Sequence, residues 1–163
     1  ESQYVDRSIL QEVAHQMLHE PATVYREEVV RADEEELFIR SGVFKRLIPR
    51  IYNYTCCISG MRIIASREVQ MIDACHIVPF AVSHDDTVCN GLSLCPNLHR
   101  AFDRGLIALD ENYRLVISQN FSENDSDYSI KKYEGSRILL PDMKDHYPAW
   151  ENLRWHREHV YLN

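Results

Sequence analysis

The 163-residue chain contains no apolar run approaching the roughly 18 residues that a membrane-spanning helix needs, so no segment is expected to cross a bilayer. It has no secretory pattern at its start, and an opening Glu1 in place of Met suggests a fragment or a trimmed chain. Neither an internal repeat nor a low-complexity tract is visible. A disulfide framework is also missing. The five cysteines (Cys56, Cys57, Cys75, Cys89, Cys95) are an odd number in a middling-sized chain, which points to reduced thiols and a cytoplasmic setting. What is present is ordinary for a globular protein, with 45% hydrophobic and 26% charged residues. The length suits one domain, or one domain with a helical appendage.

The formal net charge of −7 is unevenly placed. Residues 1–36 hold ten acids and three bases, whereas residues 37–163 hold fifteen of each. Within the neutral part, residues 40–67 carry six bases (Arg40, Lys45, Arg46, Arg50, Arg62, Arg67) and no acid. Such a block either grips phosphates or is a solvated helix face. The 1–36 stretch is read as an acidic helical appendage or a link to another domain, and 37–163 as the main domain, with the boundary between residues 20 and 36.

Apolar residues at helical spacing (Val5, Ile9, Leu10, Val13, Met17, Leu18) predict a helix over 3–19 that Pro21 closes. Its stripe would serve as a dimer seam, a contact to another domain, or core. A second helix is expected around 35–53, with Phe44, Leu47, Ile48 and Ile51 on one face and Pro49 kinking or ending it. Ser59-Gly60 signals a turn. Residues 69–78 read as one strand stopping at Pro79, and 83–90 as a polar loop. A short helix over about 97–104 ends at Gly105, a hairpin follows over 106–118, and the last helix begins near Pro148.

Residues 73–105 carry the chemistry. A strand, a loop and a short helix in that order can fold so that His76 and His99 face each other across a small cleft. His99 and Asp103 stand four apart on one helix face, a suitable pair for Mg²⁺, Mn²⁺ or Zn²⁺. Phosphodiester hydrolysis needs a deprotonated water, in-line geometry and positive charge on the developing phosphorane. A neutral imidazole at His76 suits the first need, and a cation on His99 and Asp103 the third. Arg100 and Arg104 flank those ligands and can hold neighbouring phosphates. Each feature alone has a plainer reading: a satisfied core histidine, a surface ion pair, an Asn90-Gly91 turn. Their joint spacing is what sets them apart.

The segments Ala74-Cys75-His76-Ile77-Val78-Pro79, Asn90-Gly91-Leu92-Ser93-Leu94 and His99-Arg100-Ala101-Phe102-Asp103-Arg104-Gly105 together resemble one subgroup of the HNH endonucleases. Cys57-Ile58-Ser59-Gly60 resembles the cysteine–turn that opens its first strand, and residues 106–118 and Leu153-Arg154-Trp155-His156 also match. The resemblance covers about residues 40–160. It implies an α+β fold: a ββα-metal core with flanking helices and a C-terminal hairpin and helix. It further implies that His76 activates water, that Asn90 braces the loop and orients His76, and that His99 and Asp103 hold a divalent cation. That cation is Mg²⁺ or Mn²⁺, with Zn²⁺ or Ni²⁺ as alternatives.

Two departures stand out. Many HNH proteins place an acidic residue or histidine directly before the first histidine as a metal ligand, and here that residue is Cys75. A thiol there either favours a softer metal or fills a small buried space. Asp73, on the same strand face as Cys75, either reaches the metal or orients a neighbour. Secondly, Cys57-x-x-Gly60 and Cys95-x-x-Leu98 each keep one cysteine of a C-x-x-C pair, so no structural zinc is expected. The resemblance implies an endonuclease acting on DNA, double-stranded by preference; Lys45, Arg46 and Arg50 from the basic block, with Arg100 and Arg104 beside the ligand pair, are the candidates to meet its backbone. It points to a bacterial restriction or anti-phage effector governed by a sensor or specificity domain elsewhere, with a homodimer through the first helix as a further arrangement. A catalytically silent module binding nucleic acid or a partner, and a nuclease for RNA or single strands, are the other readings.

Overall fold

The computed structural model describes residues 7–20, 34–66 and 69–163. The expected start of the first helix at residues 3–6, its closure at Pro21 and the opening of the acidic run at Asp33 lie outside the described residues. Helix α1 (Arg7–His19) buries Met17 completely, and Leu10, Val13, Ala14 and Leu18 pack beside it against the core. Helix α2 (Glu34–Ile51) lies alongside, burying Val43, Phe44, Leu47 and Ile48, the stripe that its spacing predicts. Full burial of each such side chain stabilises by about 1.5–3 kcal/mol. Pro49 is accommodated in the last turn, where the chain leaves the helix through left-handed Asn53 and Tyr54. Among the described residues no helix is long and apolar enough to cross a membrane.

The single strand expected over 69–78 is two strands in two sheets. Strand β1 (Ile64–Ser66) pairs antiparallel with β2 (Val69–Gln70), and β3 (Asp73–His76) pairs instead with β4 (Gly91–Leu94). Gln70 makes the break. Its side chain closes on the backbone of Ile72, at 2.6 Å to the N–H and 2.9 Å to the carbonyl, turning the chain from one ribbon into the next. The turn at Cys56–Gly60 forms (Gly60 N–H to Cys56 O, 2.9 Å). Strand pairing begins only at Ile64, so the cysteine–turn does not itself open a strand.

In the β3–β4 ribbon, Asp73 stands opposite Leu94, Cys75 opposite Leu92 and His76 opposite Gly91. Gly91 is not a turn residue: its φ of −124° is extended. Any Cβ there would come within 2.2 Å of Ile48 Cδ1, so glycine is required for α2 to lie against the ribbon. Between the strands run α3 (Phe80–Ser83) and a connection over 85–90 that is polar, as expected, and buried. Helix α4 (Pro96–Asp103) starts on Pro96, preset for a first turn, and buries Leu98, Ala101 and Phe102. It stops at Gly105, whose φ of +70° and contact with the Val160 carbonyl leave no room for a side chain. The hairpin β5 (Ile107–Leu109) and β6 (Leu115–Ile117) follows as expected, then α5 (Trp150–His159). The whole is α+β, with a ribbon packed on α4 at its centre.

Candidate metal and hydrolytic site

The β3–β4 ribbon and α4 bring four side chains together. His99 Nδ1 donates to Asp73 Oδ2 at 3.1 Å, and its other nitrogen, Nε2, lies 3.3 Å from Asp103 Oδ2. The Cys75 thiol reaches Asp103 Oδ1 at 3.8 Å. Donor atoms of Cys75, His99 and Asp103 all lie within 4.8 Å of one another, the one such group among the described residues. Cys75 is fully buried at the floor, whereas the side chains of Asp73 and Asp103 are 47% and 56% exposed at the rim. Burial, with Asp103 next, pushes the Cys75 thiol well above its ordinary range.

His76 ends β3, next to this cluster. Its ring stacks on Phe44 (centroids 3.8 Å apart, planes at 6°), with Phe80 tilted beyond. Nε2 is buried and has no hydrogen-bond partner among the described residues. Burial is the main reason that its pKa falls to about 4; Asp86 opposes the fall, and His99 and Lys45 add to it. The imidazole is therefore neutral at neutral pH.

Asn90 is completely buried and closes the loop between the strands. Its Oδ1 accepts from the Val78 N–H at 2.9 Å, and Nδ2 donates to the carbonyls of Val78 (2.9 Å) and Asp85 (2.8 Å). Arg100 on α4 and Arg104 just past its end are exposed. Lys45, Arg46 and Arg50 line an open groove between α2 and β2 with Asn53, Tyr54 and Gln70. Arg40, counted with them in the sequence, is not a surface cation. It is buried, with Nε 2.7 Å from Asp86 Oδ2 and Nη2 2.8 Å from Glu20 Oε2.

Two further groups matter that spacing did not single out. His156 on α5 stacks on Phe102 of α4 at 3.7 Å and donates from Nε2 to the Phe102 carbonyl at 2.9 Å, so it anchors the helix carrying His99 and Asp103. The match around Leu153-Arg154-Trp155-His156 was the available signal. The second is the thiol pair of Cys56 and Cys95, which hydrogen-bond to each other, with the Ser59 N–H also on Cys56 at 3.4 Å. Cys56, rather than Cys57, faces Cys95. Ser59 and Leu98 stand three residues beyond Cys56 and Cys95, so neither thiol has a second cysteine at that spacing.

The HNH endonuclease family matches residues 56–110, the stretch from the Cys56 turn through the first strand of the β5–β6 hairpin. No curated protein matches the chain. Among solved structures, a "Modification dependent TagI restriction endonuclease" superposes with a TM-score of 0.55 at 21% identity, over 75% of this chain and 39% of its own. At that identity the likeness is one of fold, and this chain spans about two-fifths of that protein's length.

Proposed function

We propose that this chain, whose residues 56–110 match the HNH endonuclease family, hydrolyses phosphodiester bonds of double-stranded DNA with one bound divalent cation. The observation carrying the proposal is the convergence of His99 Nε2 and Asp103 Oδ2, 3.3 Å apart, beside the ribbon end that bears His76. Imidazole and carboxylate donors on one open rim fit a divalent cation. Such a cation, when bound, supplies positive charge for the developing phosphorane and the leaving oxygen.

The chain's own groups account for the rest. Because His76 Nε2 is sealed from solvent, Nδ1 is the nitrogen that meets water and accepts its proton, with Nε2 carrying hydrogen. Stacking on Phe44 and the Asn90-braced loop hold that ring in place. Arg100 and Arg104 flank the cluster, and Lys45 lies close enough to act electrostatically on His76. The α2 groove therefore serves as a track for neighbouring phosphates, with Arg46 and Arg50 continuing it. A fold shared with a restriction endonuclease favours a restriction or anti-phage role, with a recognition domain outside the 163 residues and α1 open to a second copy.

The test is cleavage of plasmid and linear DNA with Mg²⁺ or Mn²⁺ by wild type, His76→Ala and His99→Ala, each checked for folding. Loss of a general base should slow cleavage by about 10²–10⁴-fold. Cutting at the wild-type rate by folded His76→Ala overturns its assignment. A folded wild type that binds DNA but never cuts it favours the silent binding module, a reading that Cys75 in place of a harder ligand keeps alive.

A further inference from the structure

Helix α2 ends in a way that capping alone does not explain. The Asn53 N–H reaches the Arg50 carbonyl at 3.0 Å and the Tyr54 N–H the Pro49 carbonyl at 2.6 Å, the paired bonds of a Schellman cap. Such a cap needs one left-handed residue, and Asn53, at a φ of 51°, supplies it. Tyr54 is left-handed as well, at a φ of 55°. A bulky side chain is strained there, because its Cβ crowds the following carbonyl, and such strain is concentrated at functional sites.

The strained turn sets Tyr54 in the wall of the groove that carries Lys45, Arg46 and Arg50, an open space of about 790 Å³. Tyr54 is half-buried, and among the described residues no aromatic ring covers it and its hydroxyl has no hydrogen-bond partner. Asn53 is exposed beside it, with only Oδ1 engaged, by Arg62 Nη2 at 3.4 Å. Gln70, also in the wall, has both ends of its amide committed to Ile72. Cations alone suffice for a phosphate track, so the uncovered ring calls for a second kind of contact. A strand's backbone on the charges and a base stacked on the ring is how single-stranded nucleic acid is held. In an intact duplex each base is covered by its neighbours, so a ring meets a base face only where a nucleotide has left the stack.

We infer that the α2 groove holds an unpaired nucleotide of a DNA strand, its phosphates on Lys45, Arg46 and Arg50 and its base on Tyr54, with Asn53 Nδ2 donating to the base edge. This deepens the nuclease reading and rests on it for DNA as the ligand.

The experiment is fluorescence anisotropy of labelled oligothymidylate with the full chain, in EDTA so that no strand is cut, against an abasic oligomer of equal length and charge. On wild type alone, which needs no variant to fold, the abasic oligomer should bind about 5–150-fold more weakly, the worth of one base–aromatic stack. Tyr54→Leu should weaken oligothymidylate binding to the same extent and leave abasic binding where it was, whereas Tyr54→Phe keeps both. Tyr54→Gly, which relieves the left-handed strain, should raise the thermal midpoint while losing the base-dependent part. Equal affinity of wild type for the two oligomers overturns the inference. So does an equal Tyr54→Leu penalty on the abasic oligomer or on a fully paired duplex, or a Tyr54→Gly chain that melts lower yet binds oligothymidylate as wild type does. Tighter Tyr54-dependent binding of oligouridylate makes RNA the strand and overturns DNA. Cleavage of duplex DNA without base-dependent binding leaves the nuclease reading standing and removes this one. Base-dependent binding with no cleavage in any metal does the reverse.

Discussion

At the scale of single residues, the connection that leads to the candidate site depends on one amide, that of Asn90, whose two polar atoms are both committed. Asn90 satisfies three backbone groups in a connection that has no regular pairing of its own. A buried unpaired group costs about 1–3 kcal/mol, so the connection would not hold its shape around an apolar replacement. Asn90→Ala should therefore lower the thermal midpoint and reduce DNA cleavage further than the fraction unfolded explains. Equal losses in both would make Asn90 a stability residue only. The motif made Asn90 visible in the sequence. Its neighbour Asp86 was invisible there, because its partner Arg40 lies 46 residues away and reads, by spacing alone, as one of the surface cations.

At the scale of elements, α4 carries both His99 and Asp103, and α5 holds α4. Burial lowers the pKa of His156 to about 4, and its bond to the Phe102 carbonyl opposes the shift only in part. The unfolded chain, with histidine near pH 6.5, then binds more protons than the folded one between about pH 6.5 and 4, so stability falls as pH drops through that window. Denaturant unfolding of wild type and His156→Phe across pH 4–7 checks this: the variant's stability should fall less steeply. Parallel slopes would assign the acid sensitivity to other groups. Gly91 shows a related dependence between elements. Its lack of a side chain looks like a turn signal, yet the reason is Ile48 of α2 pressed against the ribbon.

At the scale of the whole molecule, Arg40 joins three regions: Glu20 just past α1, α2 itself, and the connection that carries Asp86. Removing one member of a buried pair leaves the other charge stranded and costs about 3–5 kcal/mol, whereas replacing both by apolar groups is often near neutral. Arg40→Leu should thus destabilise strongly in chemical denaturation, and Arg40→Leu with Asp86→Leu should recover most of the loss. No recovery would mean the clamp has a role beyond charge pairing. Met17, fully buried, ties α1 to the same body, so the first helix contributes to the core as well as offering a surface.

The sequence by itself determined the order of strand, loop and helix, the stripe on α2, the hairpin, and the motif residues proposed for a hydrolytic site, because periodicity and short motifs are local properties of the chain. Only the tertiary structure decided which atoms face one another. It split the expected 69–78 strand at Gln70, buried the 85–90 connection, removed Arg40 from the basic groove, and set Asp73 behind His99 with Cys75 on the floor. Those outcomes turn on burial and on partners tens of residues apart, and neither is written in the spacing of any one segment.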